Sequence, residues 1–233
     1  MRIFSDERLP ALGIISGTVS RHGGNMRDIA NVKTFFEKLD IDPSKILGLK
    51  QVHGAGIIKM LTPSDLAAYR AVQTHEADAW LLGLNNTGVM VLTADCAPLF
   101  VWDDAGKYIG LAHCGWRGVV ENLPAKIAAA VKEQAGAGAK LYAYLGPHIN
   151  KCCFEVKEDV AARFSQQAVI RREGKIFIDL STEIKKQLKE QGIAEADIKS
   201  GCACQCTMCD KENFFSYRRD HTKDALLSFV YKI

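Results

Sequence analysis

The sequence contains no long hydrophobic run. Its best candidate for a membrane span, near residues 88–104, is interrupted by Asp95, Asp103 and Asp104, whereas a bilayer core asks for about 20 consecutive apolar residues. The opening stretch, MRIFSDERLPALG, lacks the apolar segment and cleavage pattern of an export signal. A cytoplasmic location without membrane insertion is the expectation. An excess of either charge is also missing: 30 Lys and Arg face 27 Asp and Glu, for a net charge of +3. That balance gives no general field for nucleic acid or anionic lipid. Neither is an expected partner, and any anion must be held by a local cluster. Repeats and low-complexity tracts are absent as well. The nearest approach to a linker, EQAGAGAK at 133–140, is short enough to be a helix end and its loop. A chain of 233 residues can bury a substantial core, and a single domain over residues 1–233 is expected.

What is present is cysteine, eight in all. Without an export signal, disulfides are not the default, and free thiols, metal ligands or a nucleophile are favoured. Apolar runs bounded by turn residues predict strands at 12–20, 46–54, 77–84, 88–96, 98–104, 107–115, 141–147, 213–220 and 226–233. A hairpin is expected over 169–180, turning at Glu173–Gly174. Helical spacing marks 31–39, a segment after Asn122 with Pro124 in its first turn, 155–167, and 181–192. Strands outnumber helices and do not alternate strictly with them, which favours an α+β layered fold with mixed sheets.

The stretch LTADCAPLFVWDDAGKYIGLAHCGWRG, residues 92–118, holds Cys96 and His113 at expected strand ends, and His53 ends the strand expected at 46–54. Side chains at strand ends can converge on a pocket from a rigid frame. Two imidazoles and a thiolate are three good zinc ligands and leave a fourth position open, as in a catalytic site. Cysteine is also a common core residue, and an isolated histidine is often a hydrogen-bonded bystander; spacing alone does not separate these readings. The turn Gly115-Trp116-Arg117-Gly118 joins a strand to a helix start, where free N–H groups favour an anion, and Arg117 could add a bidentate contact to phosphate. Arg218 and Arg219 offer the same chemistry. If they lie in a strand, only one of the two faces the site, and Arg218 is the choice.

The segments KQVHG, TADCAPLF, AHCGWRG, LGPHINKCCFEV and FFSYRRD occur in the order found in the YfiH-like family. That family was first described as multicopper polyphenol oxidoreductase, or laccase-like, and then as purine nucleoside phosphorylase with adenosine deaminase activity. The resemblance runs from about Ser20 to Asp220. It implies an α+β sandwich of mixed sheets flanked by helices, a purine nucleoside and phosphate as small-molecule substrates, and a metal, usually zinc, on His53, Cys96 and His113. With it, Arg21, Arg117 and Arg218 become the candidates for holding substrate or phosphate. The chain departs from the family at Arg21–Met26, where Asn25 and Met26 replace the usual Val-Ser, in a shortened segment before His53, and at Cys114, where a small apolar residue is usual. A thiol at 114 should point to the opposite face of its strand from His113.

Two rival readings remain. His₂Cys is also a copper set, and copper binds such ligands more tightly than zinc, which fits a phenol oxidase. Alternatively, Cys96 is a nucleophile and His113 its base in a metal-free hydrolase. A nucleotide-binding module without turnover is the non-enzymatic option. The stretch CACQCTMCD presents Cys202, Cys204, Cys206 and Cys209. The family pattern accounts for the last two, and reduced loop thiols are expected, with a second metal as the alternative. Cys152 and Cys153 read as structural. His75, His148 and His221 read as surface or turn residues, with His148 a possible neighbour of the pocket.

Overall fold

The computed structural model describes residues 1–201 and 205–233. The strands in chain order are β1 (Ile3–Phe4), β2 (Ile14–Val19), β3 (Ile46–Leu47), β4 (Ile57–Met60), β5 (Ala79–Leu82), β6 (Thr87–Thr93), β7 (Ala97–Asp103), β8 (Ile109–Cys114), β9 (Leu141–Leu145), β10 (Glu155–Val156), β11 (Val169–Arg172), β12 (Lys175–Ile178), β13 (Ile198–Ser200) and β14 (Leu226–Lys232). The helices are α1 (Ile29–Glu37), α2 (Pro63–Arg70), α3 (Trp116–Val120), α4 (Leu123–Ala135), α5 (Glu158–Ala161), α6 (Leu180–Glu190) and α7 (Tyr217–Asp220).

Two large mixed sheets form the frame. One has the order β1-β2-β14-β6-β3, the other β13-β9-β7-β8-β5-β4, and a small sheet β10-β12-β11 stands beside them. Alternation along the strands explains the layering. Trp80, Leu82, Phe100, Trp102, Ile109 and Leu111 of the six-stranded sheet bury against Val89, Val91 and Val230 of the other. Their neighbours Leu99, Val101, Ala112 and Cys114 point the other way, against Ile127 and Val131 of α4 and Ile184 and Leu188 of α6. On the far side, Leu227, Phe229 and Tyr231 of β14 meet Val32, Phe35 and Phe36 of α1. The result is an α+β sandwich of mixed sheets flanked by helices, as the pattern and the resemblance implied.

Some elements differ from the sequence expectation. The strand expected over 46–54 stops at Leu47, and residues 48–56 form a loop instead. Asp78 explains this: its carboxylate accepts the N–H groups of Val52, His53 and Gly54, so they cannot enter a ladder. The segment 213–220 is not a strand either. Ser216 accepts the Arg219 N–H and caps the short helix α7. The helix expected over 155–167 shrinks to α5, because Glu155 and Val156 pair with β12 and the Glu183 carboxylate captures Ser165 through its N–H and hydroxyl. Asn122 precedes α4 as expected, but in a left-handed conformation and without a side-chain cap. The hairpin at Glu173–Gly174 forms with both residues at positive φ, the geometry of a two-residue turn. Helix α2 was overlooked although its signal is in the sequence: Thr62 and Asp65 make a reciprocal capping box, with Pro63 in the first turn.

Candidate metal centre

Three separate pieces of chain bring His53, Cys96 and His113 together. His113 lies in β8, on the face shared with Ile109 and Leu111, so its ring enters the seam between the large sheets. Cys96 sits in the bend between β6 and β7, immediately before Ala97, which pairs with Cys114. His53 comes from the loop organised by Asp78, with φ at 60°. One nitrogen of each ring and the Cys96 sulfur all lie within 4.8 Å of one another. The two rings meet edge to face with centroids 4.8 Å apart. His113 is buried, Cys96 half-buried and His53 exposed, so the cluster is anchored inside and open on one side.

Asp78 was missed by the sequence reading, and it organises the site. It is fully buried. Its carboxylate receives His113 Nδ1 at 2.8 Å and the N–H groups of Val52, His53 and Gly54 at 3.2, 3.0 and 2.7 Å, while its own carbonyl accepts the His113 N–H at 2.7 Å. An ionised Asp78 requires a proton on Nδ1 and leaves Nε2 as the free lone pair of a neutral His113. Burial opposes the charge on Asp78, but the bonds from His113 and Gly54 outweigh it and hold the carboxyl below its usual range. No short motif links Asp78 to His113 in sequence; only β5 beside β8 puts them together.

Electrostatics favour a thiolate. Burial alone would raise the Cys96 thiol, but the His113 charge and hydrogen bonds from both imidazoles bring it down to about 6. Burial likewise opposes the charge on His113, and the Cys96 thiolate and Asp78 lift it to about 9. In Cys114, burial and the negative Cys96 and Asp78 push the thiol far up, so it remains a neutral packing group. It faces the helix side of the sheet, opposite His113, as strand geometry required.

Gly115 and Gly118 give the Gly-Trp-Arg-Gly turn its shape. A Cβ at Gly115 would stand 3.2 Å from Cys96 Sγ, 3.2 Å from His53 Cδ2 and 3.6 Å from His113 Cε1. The backbone here is pressed against all three candidate ligands. A Cβ at Gly118 would meet the Gly54 carbonyl at 2.6 Å, so α3 packs directly on the His53 loop.

This donor set fits zinc. Zn–S near 2.3 Å and Zn–N near 2.0–2.1 Å imply ligand atoms about 3.3–3.6 Å apart around a tetrahedral ion. Closing from separations of at most 4.8 Å asks for side-chain shifts of about an ångström or less.

The arginines are dispersed. The Arg117 side chain is exposed and stacks on Trp116 at 4.5 Å, with Arg163 near the same ring at 5.8 Å. The Arg21 guanidinium lies over Phe215 and donates to the Lys211 carbonyl at 2.7 Å. Arg218 donates to the Glu155 carbonyl at 2.7 Å. Arg219 is tied to the carbonyls of Thr207, Met208 and Phe214 and to Asp220. The difference between Arg218 and Arg219 thus comes from a helical turn and carbonyl capture, not from the opposite faces of a strand. His75 stacks on Tyr69 and contacts its carbonyl. His148 is buried, contacting the Gly146 carbonyl and the Ser181 hydroxyl; it borders a pocket with Asp179, Ser181 and Lys185, whose lining shares no residue with the His53–Cys96–His113 cluster. Cys202 and Cys204 lie outside the described residues.

The family model described as multi-copper polyphenol oxidoreductase laccase matches residues 21–231. A purine nucleoside phosphorylase of Clostridium acetobutylicum is 30% identical over 213 residues, covering 88% of this chain and 82% of that protein. Purine nucleoside phosphorylase YfiH of Escherichia coli is 33% identical over 197 residues, covering 82% and 75%. Among solved structures, the hypothetical protein YfiH of Bacillus licheniformis superposes with a TM-score of 0.83 at 25% identity, covering 94% and 93% of the two chains. YlmD of Geobacillus stearothermophilus has a TM-score of 0.85 at 24% identity, covering 97% and 94%, a likeness of fold. Sequence match, relatives and fold agree: the chain belongs to the multi-copper polyphenol oxidoreductase laccase family, the YfiH-like group that its motifs resemble.

Proposed function

We propose that this chain is a zinc-dependent purine nucleoside phosphorylase that also deaminates adenosine. The observation that carries the reading is the convergence of His53, Cys96 and His113 to within 4.8 Å, backed by Asp78 on His113, in a chain whose relatives are named purine nucleoside phosphorylase. All 233 residues act as one catalytic unit. It works in the cytoplasm on small molecules and has no nucleic-acid partner. Among the described residues no helix is long and apolar enough to cross a membrane.

His53 Nδ1 or Nε2, Cys96 Sγ and His113 Nε2 would hold the ion. When bound, zinc supplies Lewis acidity and lowers the pKa of a coordinated water. The protein's own part is to prepare the ligands. Asp78 keeps the proton on His113 Nδ1, and the imidazoles draw the proton from Cys96. Phosphorolysis joins a phosphate oxygen to C1′ as the bond to the purine nitrogen breaks, giving ribose 1-phosphate and the free base. Arg117, beside the centre in sequence and in no ion pair among the described residues, is the leading phosphate ligand, with Arg21 and Arg218 behind it. Deamination replaces the amino group at C6 with oxygen from water, giving inosine and ammonia, and needs no phosphate.

The test is product analysis with adenosine, with and without phosphate, using protein of measured zinc content. Arg117→Ala should slow phosphorolysis about ten- to a hundredfold, the loss of one charge-assisted contact of about 1.5–3 kcal/mol, and leave inosine formation much less affected. An equal fall in both activities would return Arg117 to a supporting role.

One observation favours a second reading. Cys96, His113 and Asp78 stand in the order nucleophile, base and orienting acid. A metal-free thiol hydrolase would keep its activity in chelator, and the zinc enzyme would lose it. The copper oxidase reading asks for a multicopper centre. The chain has six histidines, and only His53 and His113 belong to a metal-competent group among the described residues. A phenolic-dye assay on protein purified without added copper decides that case.

A further inference from the structure

A second group of side chains is gathered far from the first in sequence. Residues 150–154 and 206–210 form two tight turns. In the first, the N–H groups of Cys153 and Phe154 both donate to the Asn150 carbonyl; in the second, those of Cys209 and Asp210 both donate to the Cys206 carbonyl. The turns are joined through His148, whose carbonyl accepts the Thr207 N–H. Each turn offers two thiols toward the other. Cys152 Sγ lies 3.6 Å from Cys206 Sγ and 3.7 Å from Cys209 Sγ, and Cys153 Sγ lies 3.3 Å from Cys209 Sγ. All four sulfurs are within 4.8 Å of one another.

We propose that Cys152, Cys153, Cys206 and Cys209 form a second metal site, a tetrathiolate that holds one structural zinc. Four sulfurs at about 2.3 Å from a tetrahedral zinc are about 3.8 Å apart, and the gathered thiols already stand close to that separation. Four sulfurs in a tetrahedron select zinc or iron–sulfur chemistry over harder or square-planar ions, and the Cys206-x-x-Cys209 turn is a zinc-knuckle spacing. The surroundings suit thiolates. The Asn150 N–H donates to Cys206 Sγ at 3.4 Å. The Arg172 guanidinium sits on the Cys152 carbonyl at 2.7 Å, so a cation lies beside a centre of net charge −2. On binding, the four thiols release their protons to solvent and no oxidant or reductant is needed.

The position gives this zinc a task. Ile149 N–H, next to the first turn, donates to the Asp95 carbonyl at 2.9 Å, and Thr207 of the second turn donates to the Asp95 carboxylate at 2.6 Å. Asp95 has φ at 88° and directly precedes Cys96. The tetrathiolate clamps the two segments that hold this strained residue in place. Sequence spacing had grouped Cys206 and Cys209 with Cys202 and Cys204; in the structure their partners are Cys152 and Cys153, some 54 residues earlier.

The test starts from Cys96→Ser, which removes the thiolate of the His53–Cys96–His113 centre and isolates the second site. Purified without added metal, this variant should retain one zinc per chain. X-ray absorption at the zinc edge should show four sulfur neighbours at about 2.3 Å, and cobalt exchanged into the same protein should give the intense bands of tetrahedral thiolate ligation. Adding Cys152→Ser and Cys209→Ser should abolish that zinc, whereas Cys202→Ser with Cys204→Ser should keep it. Folded Cys96→Ser protein without zinc would overturn the proposal. So would iron in place of zinc, nitrogen or oxygen among the neighbours, a mass lowered by the hydrogens lost in disulfides at these cysteines, or loss of zinc in the Cys202/Cys204 variant. Because the spectroscopic readouts keep the four thiols intact, they stand even if the Cys152/Cys209 variant fails to fold. A tetrathiolate zinc in a wild-type protein that turns over no purine nucleoside would sink the proposed activity alone.

Discussion

Asp78→Asn tests the organisation of the centre most directly. The side chain keeps its shape but exchanges one carboxylate oxygen for an NH₂ group. If the nitrogen takes the Oδ2 position, it faces the N–H groups of Val52 and Gly54. If it takes Oδ1, it faces the N–H of His53 and His113 Nδ1, and His113 must then move its proton to Nε2, the nitrogen that should bind metal. In the first case two N–H donors lose their acceptor in a fully buried site; in the second one does, and His113 is forced into the other tautomer. Charge-assisted bonds of about 1.5–3 kcal/mol each put the loss near 3–5 kcal/mol, the range for breaking a buried charged pair. A protein stable by about 5–15 kcal/mol stays folded after such a loss, with Tm lower by roughly 10 °C. Zinc affinity should fall about 10–100-fold, the usual cost of removing a partner that orients a histidine ligand. Thermal unfolding of metal-free protein and competition against a chromophoric chelator measure the two effects separately. An unchanged zinc affinity alongside a lower Tm would refute the tautomer argument and leave Asp78 as a fold residue only.

In metal-free protein, thiolate absorbance of Cys96 should titrate near pH 6 instead of near 9.0. A depressed thiol pKa contributes stability that is present above the unfolded value and lost as pH falls through about 6. The raised His113 contributes stability present below 6.5 and lost as pH rises through about 9. Between 6.5 and about 9 the two slopes have opposite sign and cancel, so metal-free stability should change little across that window while the thiolate absorbance is already present; an absorbance that rises only near 9.0 would contradict the pairing. Gly115→Ala places a methyl 3.2 Å from both Cys96 Sγ and His53 Cδ2 on a backbone that alanine can adopt. Zinc affinity should drop several-fold with little change in Tm; unaltered affinity in chelator competition would mean the ligands have room to move.

The layered fold and two candidate ligands of the centre were legible from local pattern. Continuous apolar runs announced β5, β7 and β8 because both faces of those strands are covered, and Cys96 and His113 lay where the runs ended. The His53 loop was read as strand because an apolar run cannot reveal that a distant carboxylate will take its N–H groups. The segment at Phe214–Asp220 failed for a similar reason: Ser216 caps a helix that aromatic content alone does not announce.

By itself, then, the sequence determined the class of fold and the chemical types available, since apolar periodicity and donor identity are local properties. Tertiary structure decided which donors meet. It placed Asp78 behind His113 by setting β5 beside β8, pressed Gly115 against the ligands, and drew Cys152 and Cys153 to Cys206 and Cys209. Contacts between residues tens of positions apart depend on strand order and turn geometry, and their spacing along the chain carries no trace of the distance between them in space.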